Sequence, residues 1–389
     1  MRTWILSLLV LLSGCAQLDP DQAGIGRVAP LLEDTAFPPP AAPIDTSELF
    51  ALSPDMRRHL NSTPFRTLMR EHGQPSGLLR ALYDRRELAL DYDATHTGTA
   101  AETYAGRKGN CLSLVIMTAA FARELGMSVQ FREVQVEDTW SRERAIYLVS
   151  SHVNLSLAPA GPRGDDAGTG TLTVDFVQLP PDTQERVRFL DEADIVVRYM
   201  NNRAAEELVR GRHVDAYWWV RGALLKKPSF SAALNTLSVV YQRAGQPLLA
   251  EQVYRAALER EPDSLVVMQN LQPLLAANGK AAEAQALAQQ LARLYPAPPY
   301  HYFHQAMQAY QAGDFANART LFAREVARAP HNDEFHFWLG LASLQLGEWK
   351  KAEKQLLLAR DTSVRPEARA RYSAKLMHLR AIAAGPGRH

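Results

Sequence analysis

The stretch that decides the fold of the first half of this chain begins Gly109-Asn110-Cys111-Leu112-Ser113 and ends Glu124-Leu125-Gly126. Good helix formers lie between these ends and apolar side chains occur all round, which predicts a buried central helix closed by Gly126. Cys111 is its first residue, where free backbone N–H groups and the positive end of the helix dipole favour a thiolate. The position suits a nucleophile, although more often it holds an ordinary small buried residue.

The hydrophobic period changes to two after this helix. Met127, Val129 and Phe131 alternate with polar residues and predict a strand. The ranges 144–157 and 171–178 predict a second and a third strand, joined by a loop rich in Gly, Pro and Asp. We expect these two strands to form an antiparallel hairpin.

This hairpin carries a histidine and an aspartate on its polar face. If Leu157 pairs with Gly170, antiparallel counting puts His152 directly opposite Asp175. A carboxylate there can accept the imidazole N–H, fix the tautomer and leave the other ring nitrogen free. The register is an assumption, and a slip of one residue would separate the two side chains.

A cysteine at a helix start, a histidine on one strand and an aspartate on the next resemble the transglutaminase-like superfamily of papain-type folds. The resemblance covers about residues 60–180 and is carried by Leu90-Asp91-Tyr92-Asp93, Gly109-Asn110-Cys111, Ala119 to Met127, Ser151-His152-Val153 and Thr173-Val174-Asp175-Phe176. It implies an α+β domain, here 47–190, made of helices and an antiparallel sheet. It further implies Cys111 as nucleophile, His152 as base and then acid, and Asp175 as the orienting group.

Such chemistry passes through a thioester, which water hydrolyses and an amine converts to a crosslink. The oxyanion needs the Cys111 N–H and one more donor, for which Tyr104 is the candidate. Taken singly, Cys111, His152 and Asp175 also have ordinary structural explanations, namely a buried cysteine, a satisfied strand histidine and a turn cap.

The second half of the chain repeats every 34 residues, which is the tetratricopeptide period. Glycine lets the chain turn between helices, alanine allows close packing and proline ends the second helix. The aligned positions are Gly211, Gly245, Gly279, Gly313 and Gly347; Ala216, Ala250, Ala284, Ala318 and Ala352; and Pro228, Pro262, Pro296 and Pro330. We therefore predict an all-α tetratricopeptide superhelix over 191–389, with five repeats and a closing helix that begins at Pro366.

The N-terminus has a short positive region, an apolar run and then Leu12-Ser13-Gly14-Cys15, which resembles a bacterial lipobox. The resemblance implies a signal peptide over 1–14 and a lipidated Cys15. A plain secretory signal with an incidental cysteine is the alternative. Ala16 and Gln17 suggest sorting to the outer membrane, facing the periplasm.

The proline-rich range 15–46 predicts an extended tether. Lipid on Cys15 would leave Cys111 as an unpaired, reactive thiol in an oxidising compartment.

Composition excludes some functions. The formal net charge of +1 gives no electrostatic footprint for nucleic acid. His301, His304, His331 and His336 lack the carboxylates or cysteines that would complete a metal site, so we expect neither metal nor cofactor.

Two hypotheses for the function remain. The first is a membrane-anchored thiol hydrolase, a peptidase or amidase whose repeats recruit a protein or peptide substrate. The second is a non-catalytic envelope scaffold whose repeats bind a partner protein.

Overall fold

The structure, a computed structural model, describes residues 20–84, 87–93, 96–143, 146–159, 170–176, 186–363 and 366–383. The predicted signal peptide and Cys15 lie outside the described residues, as does most of the predicted loop between the second and third strands. Among the residues described, no helix is both long and apolar enough to cross a membrane.

The helices of the first half are short, and several have a capping side chain at the start. The Ser53 hydroxyl accepts the Met56 N–H, and Thr99 with Glu102 forms a full capping box. The bounds are α1 Pro20–Val28, α2 Pro54–Leu60, α3 Thr63–His72, α4 Gln74–Tyr83, α5 Ala100–Gly106 and α6 Cys111–Glu124, with 3₁₀ turns at Ala29–Leu31 and Asp34–Ala36.

Helix α6 is the central buried helix that its sequence predicts. Every residue from Cys111 to Ala122 is buried. The helix ends as expected, because Gly126 has φ +77° and the Met127 N–H returns to the Ala122 carbonyl at 2.9 Å. Twelve consecutive buried positions make α6 the element against which the rest of this half is packed.

Two sheets accompany α6. Strands β1 Asp91–Tyr92 and β2 Lys108–Gly109 form a short parallel pair just before the helix. The larger sheet is antiparallel in the order β5-β4-β3-β6, with bounds β3 Ser128–Glu143, β4 Ile146–Ala158, β5 Leu172–Val174 and β6 Arg186–Leu190. The three predicted strands are present, but β3 runs well beyond Phe131 and β6 was not predicted.

The repeat half consists of helix pairs. They are α7 Glu192–Val209 with α8 His213–Lys226, α9 Ser231–Arg243 with α10 Pro247–Arg260, α11 Leu265–Ala277 with α12 Ala281–Leu294, α13 His301–Gln311 with α14 Phe315–Arg328, α15 Asp333–Gln345 with α16 Trp349–Thr362, and the closing helix α17 Pro366–Ala383. The five glycines between paired helices all have φ between +73° and +80°, a region that glycine enters without steric cost. The five aligned alanines are buried. The predicted repeat architecture is thereby confirmed.

The prediction of an extended tether is wrong for residues 29–41, which dock on the first two repeats. Phe37 is 5% exposed and stacks on Tyr217, with ring centroids 4.1 Å apart and planes 7° apart. The Trp218 indole N–H donates to the Pro38 carbonyl at 2.7 Å. The proline-rich composition indicates a chain without regular structure, but it does not reveal that aromatic side chains elsewhere can bind it.

A charged contact reinforces this docking. The Arg221 guanidinium donates to both oxygens of Asp34, at 2.7 and 2.8 Å, and the Tyr217 hydroxyl donates to the same carboxylate at 2.6 Å. The Arg221 hydrogen bonds lower the pKa of Asp34 despite partial burial. The docked residues share one hydrophobic core with α6, the larger sheet and the first three repeats, so this core is continuous across the predicted boundary at residue 190.

Candidate functional site

The start of α6 is held by a network of polar side chains. The Asn110 side-chain oxygen Oδ1 accepts the Ser113 N–H at 2.9 Å, and its Nδ2 donates to the Thr97 hydroxyl at 2.7 Å. A Cβ at Gly109 would lie 2.6 Å from the Ser113 Cβ, so only glycine allows this approach. The Gly-Asn-Cys sequence therefore serves a close turn that fixes Cys111 at the first helical position.

Two side chains of the first repeat form hydrogen bonds to the turn before Cys111. The Glu206 carboxylate on α7 accepts the Thr97 N–H at 2.6 Å, and the Arg203 guanidinium donates to the Thr97 carbonyl at 3.3 Å. Burial raises the pKa of Glu206, and the bond from Thr97 opposes that shift. The turn before Cys111 thus depends on the repeat half as well as on its own sheet.

Cys111 is 8% exposed, and its thiol does not have the lowered pKa that the helix start led us to expect. Burial raises the pKa of the thiol, and the nearby Asp175 carboxylate raises it further. The main-chain N–H groups of Val153 and Leu112 lie within hydrogen-bonding reach of the sulfur and only partly offset burial. The thiol is therefore neutral at rest, and it lies against the strand that carries His152.

His152 and Asp175 meet as predicted, although the predicted register is wrong by two residues. Leu157 pairs with Leu172 rather than with Gly170, so the position directly opposite Asp175 is Asn154. A shift of two keeps every side chain on its face, and diagonal neighbours remain within reach. His152 Nε2 lies 2.7 Å from Asp175 Oδ2.

The two members of the pair differ in their exposure to water. His152 is 7% exposed, and the Asp175 side chain is partly exposed. Since a carboxylate can only accept, the imidazole donates from Nε2, which leaves Nδ1 as the ring nitrogen able to act as a base. The Tyr83 hydroxyl donates to the Asp175 carbonyl at 3.3 Å and helps to hold the end of β5.

The structure does not place Tyr104 at the site. Its ring packs against His59 and Phe121, with centroids 5.9 Å away in each case. Phe121 is ten residues along α6 from Cys111, which at 1.5 Å per residue is about 15 Å. Tyr104 instead lines an open cavity of about 550 Å³ with Arg58, His59 and Arg107.

Tyr92 is the tyrosine beside the thiol, although it was not predicted as a site residue. It pairs with Gly109 in the small sheet, two residues before Cys111. Tyr92 as a whole is 38% exposed, and its hydroxyl is the end that approaches the thiol. Burial and the neighbouring sulfur raise the pKa of this hydroxyl, and the main-chain N–H of Cys111, within hydrogen-bonding reach, opposes the shift. The run Leu90-Asp91-Tyr92-Asp93 was already part of the resemblance, so the signal was present.

In the part of the chain that the structure describes, no group of three His, Cys, Asp or Glu side chains could hold a metal ion. The four histidines noted in the sequence lie in or beside the repeat helices. His336, for example, is buried and bonded to Gln355 and to the Pro330 carbonyl at 2.7 and 2.8 Å.

Comparison with known proteins identifies the repeats. The tetratricopeptide repeat family model matches residues 303–366. No curated protein matches the chain. A thermophilic TPR protein of Thermus thermophilus is 18% identical, with 46% of this chain and 99% of that one covered and a TM-score of 0.34.

Two further solved structures show similar likeness. PilF of Pseudomonas aeruginosa is 21% identical over 49% of this chain and 94% of its own, with a TM-score of 0.29. YrrB, described as a TPR protein with an unusual peptide-binding site, is 16% identical over 47% of this chain and 92% of its own, with a TM-score of 0.25. All three TM-scores are low, so these likenesses support no statement about the function of this chain. Residues 303–366 are thus identified as tetratricopeptide repeats, and the helix pairs before them share the same 34-residue spacing.

Proposed function

We propose that this chain is a protein-binding scaffold whose repeats hold a protein or peptide partner. The observation that supports the proposal most directly is the array itself, five helix pairs closed by α17, with the family match over residues 303–366. Stacked repeats of this kind create extended concave surfaces suited to binding. A scaffold needs no chemistry at Cys111, so this function stands independently of the thiol.

The fourth and fifth repeats are the part of the array we assign to the partner. The first three repeats are joined to the α6 half by one continuous core. The fourth and fifth repeats and α17 are built on separate cores, around Phe303, Phe322 and Phe335 and around Leu356 and Leu376. Leu265 of the third repeat also packs in the first of these cores. The surfaces of the fourth and fifth repeats are therefore not committed to that junction.

Site-specific photocrosslinking in the full chain tests this assignment. A photoreactive residue is placed at Gln311 or Gln345, exposed at the ends of α13 and α15, and at Lys350 or Lys354 on α16 as matched controls. We expect one protein to crosslink from the first pair of positions and not from the controls. Crosslinks that are absent from both sets, or equal in both, would contradict binding by the surface that carries Gln311 and Gln345.

A second function, acyl transfer at Cys111, is favoured by one specific observation. The imidazole of His152 is bonded to Asp175, and the N–H of the next residue, Val153, lies within reach of the Cys111 sulfur. We include the transglutaminase-like resemblance in this proposal, since these are the three residues that it implies. The substrate class would be an amide or ester of a protein or peptide.

In this proposal the roles are those that the resemblance implies. His152 Nδ1 takes the thiol proton as the sulfur attacks a carbonyl carbon, so a C–S bond forms and an oxyanion develops. When the tetrahedral species collapses, the imidazolium gives its proton to the departing nitrogen or oxygen, and a thioester remains. Water then attacks the thioester, which releases the acid and returns the proton to sulfur. The raised pKa of Cys111 makes the imidazole necessary as a base.

Acylation by 4-nitrophenyl acetate tests the second function. We expect one acetyl group on Cys111 with a burst of 4-nitrophenolate, none in Cys111→Ala, and a rate reduced about 10²- to 10⁴-fold in His152→Ala. Intact mass and peptide mapping locate the acetyl group. An unacylated Cys111, or acylation that does not depend on His152, would leave the scaffold as the function.

The cellular location is part of the proposal. We propose a lipid on Cys15 and an outer-membrane, periplasm-facing location, supported by the lipobox-like sequence Leu12-Ser13-Gly14-Cys15. Metabolic labelling with a palmitate analogue should mark the wild type and not Cys15→Ala. Equal labelling of both chains, or of neither, would remove the anchor from the account.

A further inference from the structure

Asn154 is a polar residue at the thiol site to which neither proposed function assigns a role. It is 2% exposed, and its Nδ2 donates to Asp175 Oδ2 at 2.9 Å. His152 Nε2 lies 2.7 Å from the same oxygen. One carboxylate oxygen therefore accepts from two neighbouring positions on β4.

The rest of the Asn154 amide argues against a purely structural role. Its Oδ1 is buried with no hydrogen-bond partner among the described residues. A buried acceptor left unsatisfied is destabilising, and a leucine of similar shape would fill this position without one. The side chain that is present leaves one end unsatisfied and directs the other to Asp175.

We propose that Asn154 is a positioning residue, which holds Asp175 so that His152 keeps its proton on Nε2 and presents Nδ1 as the base for Cys111. The inference rests on the second proposed function, acyl transfer. Two donors to Oδ2 restrict the rotation of the carboxylate, and the carboxylate in turn fixes the imidazole. Asn154 acts through these groups and does not touch the reacting atoms.

The other titratable and charged groups around the pair are compatible with this role. Tyr83 faces Asp175 from α4, and burial together with the Asp175 charge raises the pKa of its hydroxyl, which keeps it neutral. Tyr92 faces Cys111 from β1 with a raised pKa. On β3, Arg132 donates to the Thr173 hydroxyl at 2.8 Å. Both tyrosine hydroxyls therefore stay neutral over neutral pH and add no charge beside the pair.

The test compares Asn154→Leu with Ser156→Ala in the full chain. The Ser156 hydroxyl lies 3.1 Å from the Thr173 hydroxyl and links the same two strands two residues further along, so its loss controls for weaker strand pairing. Two quantities are measured: the rate of Cys111 acylation by 4-nitrophenyl acetate from pH 6 to 10, and the His152 tautomer by ¹⁵N NMR of the imidazole.

We expect the neutral imidazole of wild-type His152 to carry its proton on Nε2. Asn154→Leu should give a mixture of tautomers, acylation slowed about tenfold and a pH profile displaced to higher pH, because a misplaced base removes protons less well. Ser156→Ala should stay within about twofold of wild type. Asn154→Ala replaces Asn154→Leu if the latter does not fold.

Two results would overturn the inference: a wild-type His152 with its proton on Nδ1, or an Asn154 variant with wild-type tautomer and rate. Failure of the thiol function looks different. In that case wild-type Cys111 shows no acylation that depends on His152, while the tautomer measurement still reports whether Asn154 positions the pair.

Discussion

The residues around Cys111 come from several distant segments of the chain, whereas each repeat contacts chiefly the repeats before and after it. Asn110, His152 and Asp175 are brought together by a helix start and two strands, and polar side chains hold them there. The repeats use apolar positions that recur every 34 residues. The thiol site brings several polar groups together in one place, whereas the repeats spread similar apolar contacts over the whole array.

This difference separates the consequences of substitution in the two regions. A change at the thiol site should alter chemistry far more than stability, because few groups carry the reaction. A change in the core of a repeat should alter local stability and leave distant chemistry intact, because the energy of a repeat array is mostly a sum over neighbours.

Asp175→Asn should slow acylation of Cys111 by about a thousandfold, because an amide in place of the carboxylate permits the wrong imidazole tautomer. The shape of the side chain is kept, so the free energy of unfolding in urea should change by less than about 1 kcal/mol. Acylation rate and urea midpoint are measured on the same preparation. A large loss of stability with an unchanged rate would reverse the assignment of this residue.

Phe303→Ala should lower the stability of the fourth and fifth repeats by about 3–5 kcal/mol, because Phe303 is fully buried in their core. Hydrogen exchange should increase in α13 to α15 while α6 stays protected. Acylation at Cys111 is the internal control and should match that of wild type. Equal loss of protection in α6 would show that the two regions unfold as one.

Phe37→Ala should lower the free energy of unfolding by about 3 kcal/mol, since Phe37 is buried against Tyr217. Phe189→Ala is the matched control, because Phe189 is 68% exposed and its loss should cost less than about 0.5 kcal/mol. Urea denaturation of the full chain gives both values. Two equally small losses would restore the extended tether.

Glu251→Gln should make stability less dependent on pH in acid. Although burial opposes the shift, bonds from Lys280, Asn278 and Arg255 lower the pKa of Glu251 to about 2. A lowered carboxyl pKa contributes stability above the unfolded value, and this is lost as pH falls toward the folded value. Wild type should therefore lose roughly 1–2 kcal/mol more than the variant between pH 6 and pH 2.5. Parallel losses in urea titrations would refute this.

Tyr92→Phe should slow acylation of Cys111 by about tenfold, since the hydroxyl lies beside the main-chain N–H that would stabilise the oxyanion. Tyr104→Phe should have no effect on this rate, because Tyr104 lies near the other end of α6. Both rates are measured with 4-nitrophenyl acetate, and together they test whether Tyr92 rather than Tyr104 acts beside the thiol. A slower Tyr104→Phe and an unchanged Tyr92→Phe would reverse it.

The repeats were predictable because every determinant is local. The glycine at a left-handed turn, the buried alanine and, in the first four repeats, the proline two residues after the second helix act within one repeat, and the period multiplies the signal. Helix α6 was predictable for a similar reason, since its apolar surface and its cap lie within one stretch.

The rest depended on contacts that no local pattern encodes. The two-residue error at Leu157 arose because hydrophobic alternation fixes the face of a strand but not its pairing. The docking of Phe37 depends on aromatic side chains far along the chain. The raised pKa of Cys111 follows from burial, which outweighs the nearby N–H groups of Val153 and Leu112. The sequence predicts the buried helix but does not reveal that β4 packs against its first residue.

A double-mutant cycle on the acylation rate of Cys111 tests most directly whether its thiol, His152 and Asp175 act as one unit. The cycle comprises wild type, His152→Ala, Asp175→Asn and the double variant, each as the full chain. We predict a double variant no slower than His152→Ala alone, because the carboxylate has no imidazole left to orient. Losses that simply add would show that Asp175 and His152 act separately, and the 2.7 Å contact between them would then be structural only.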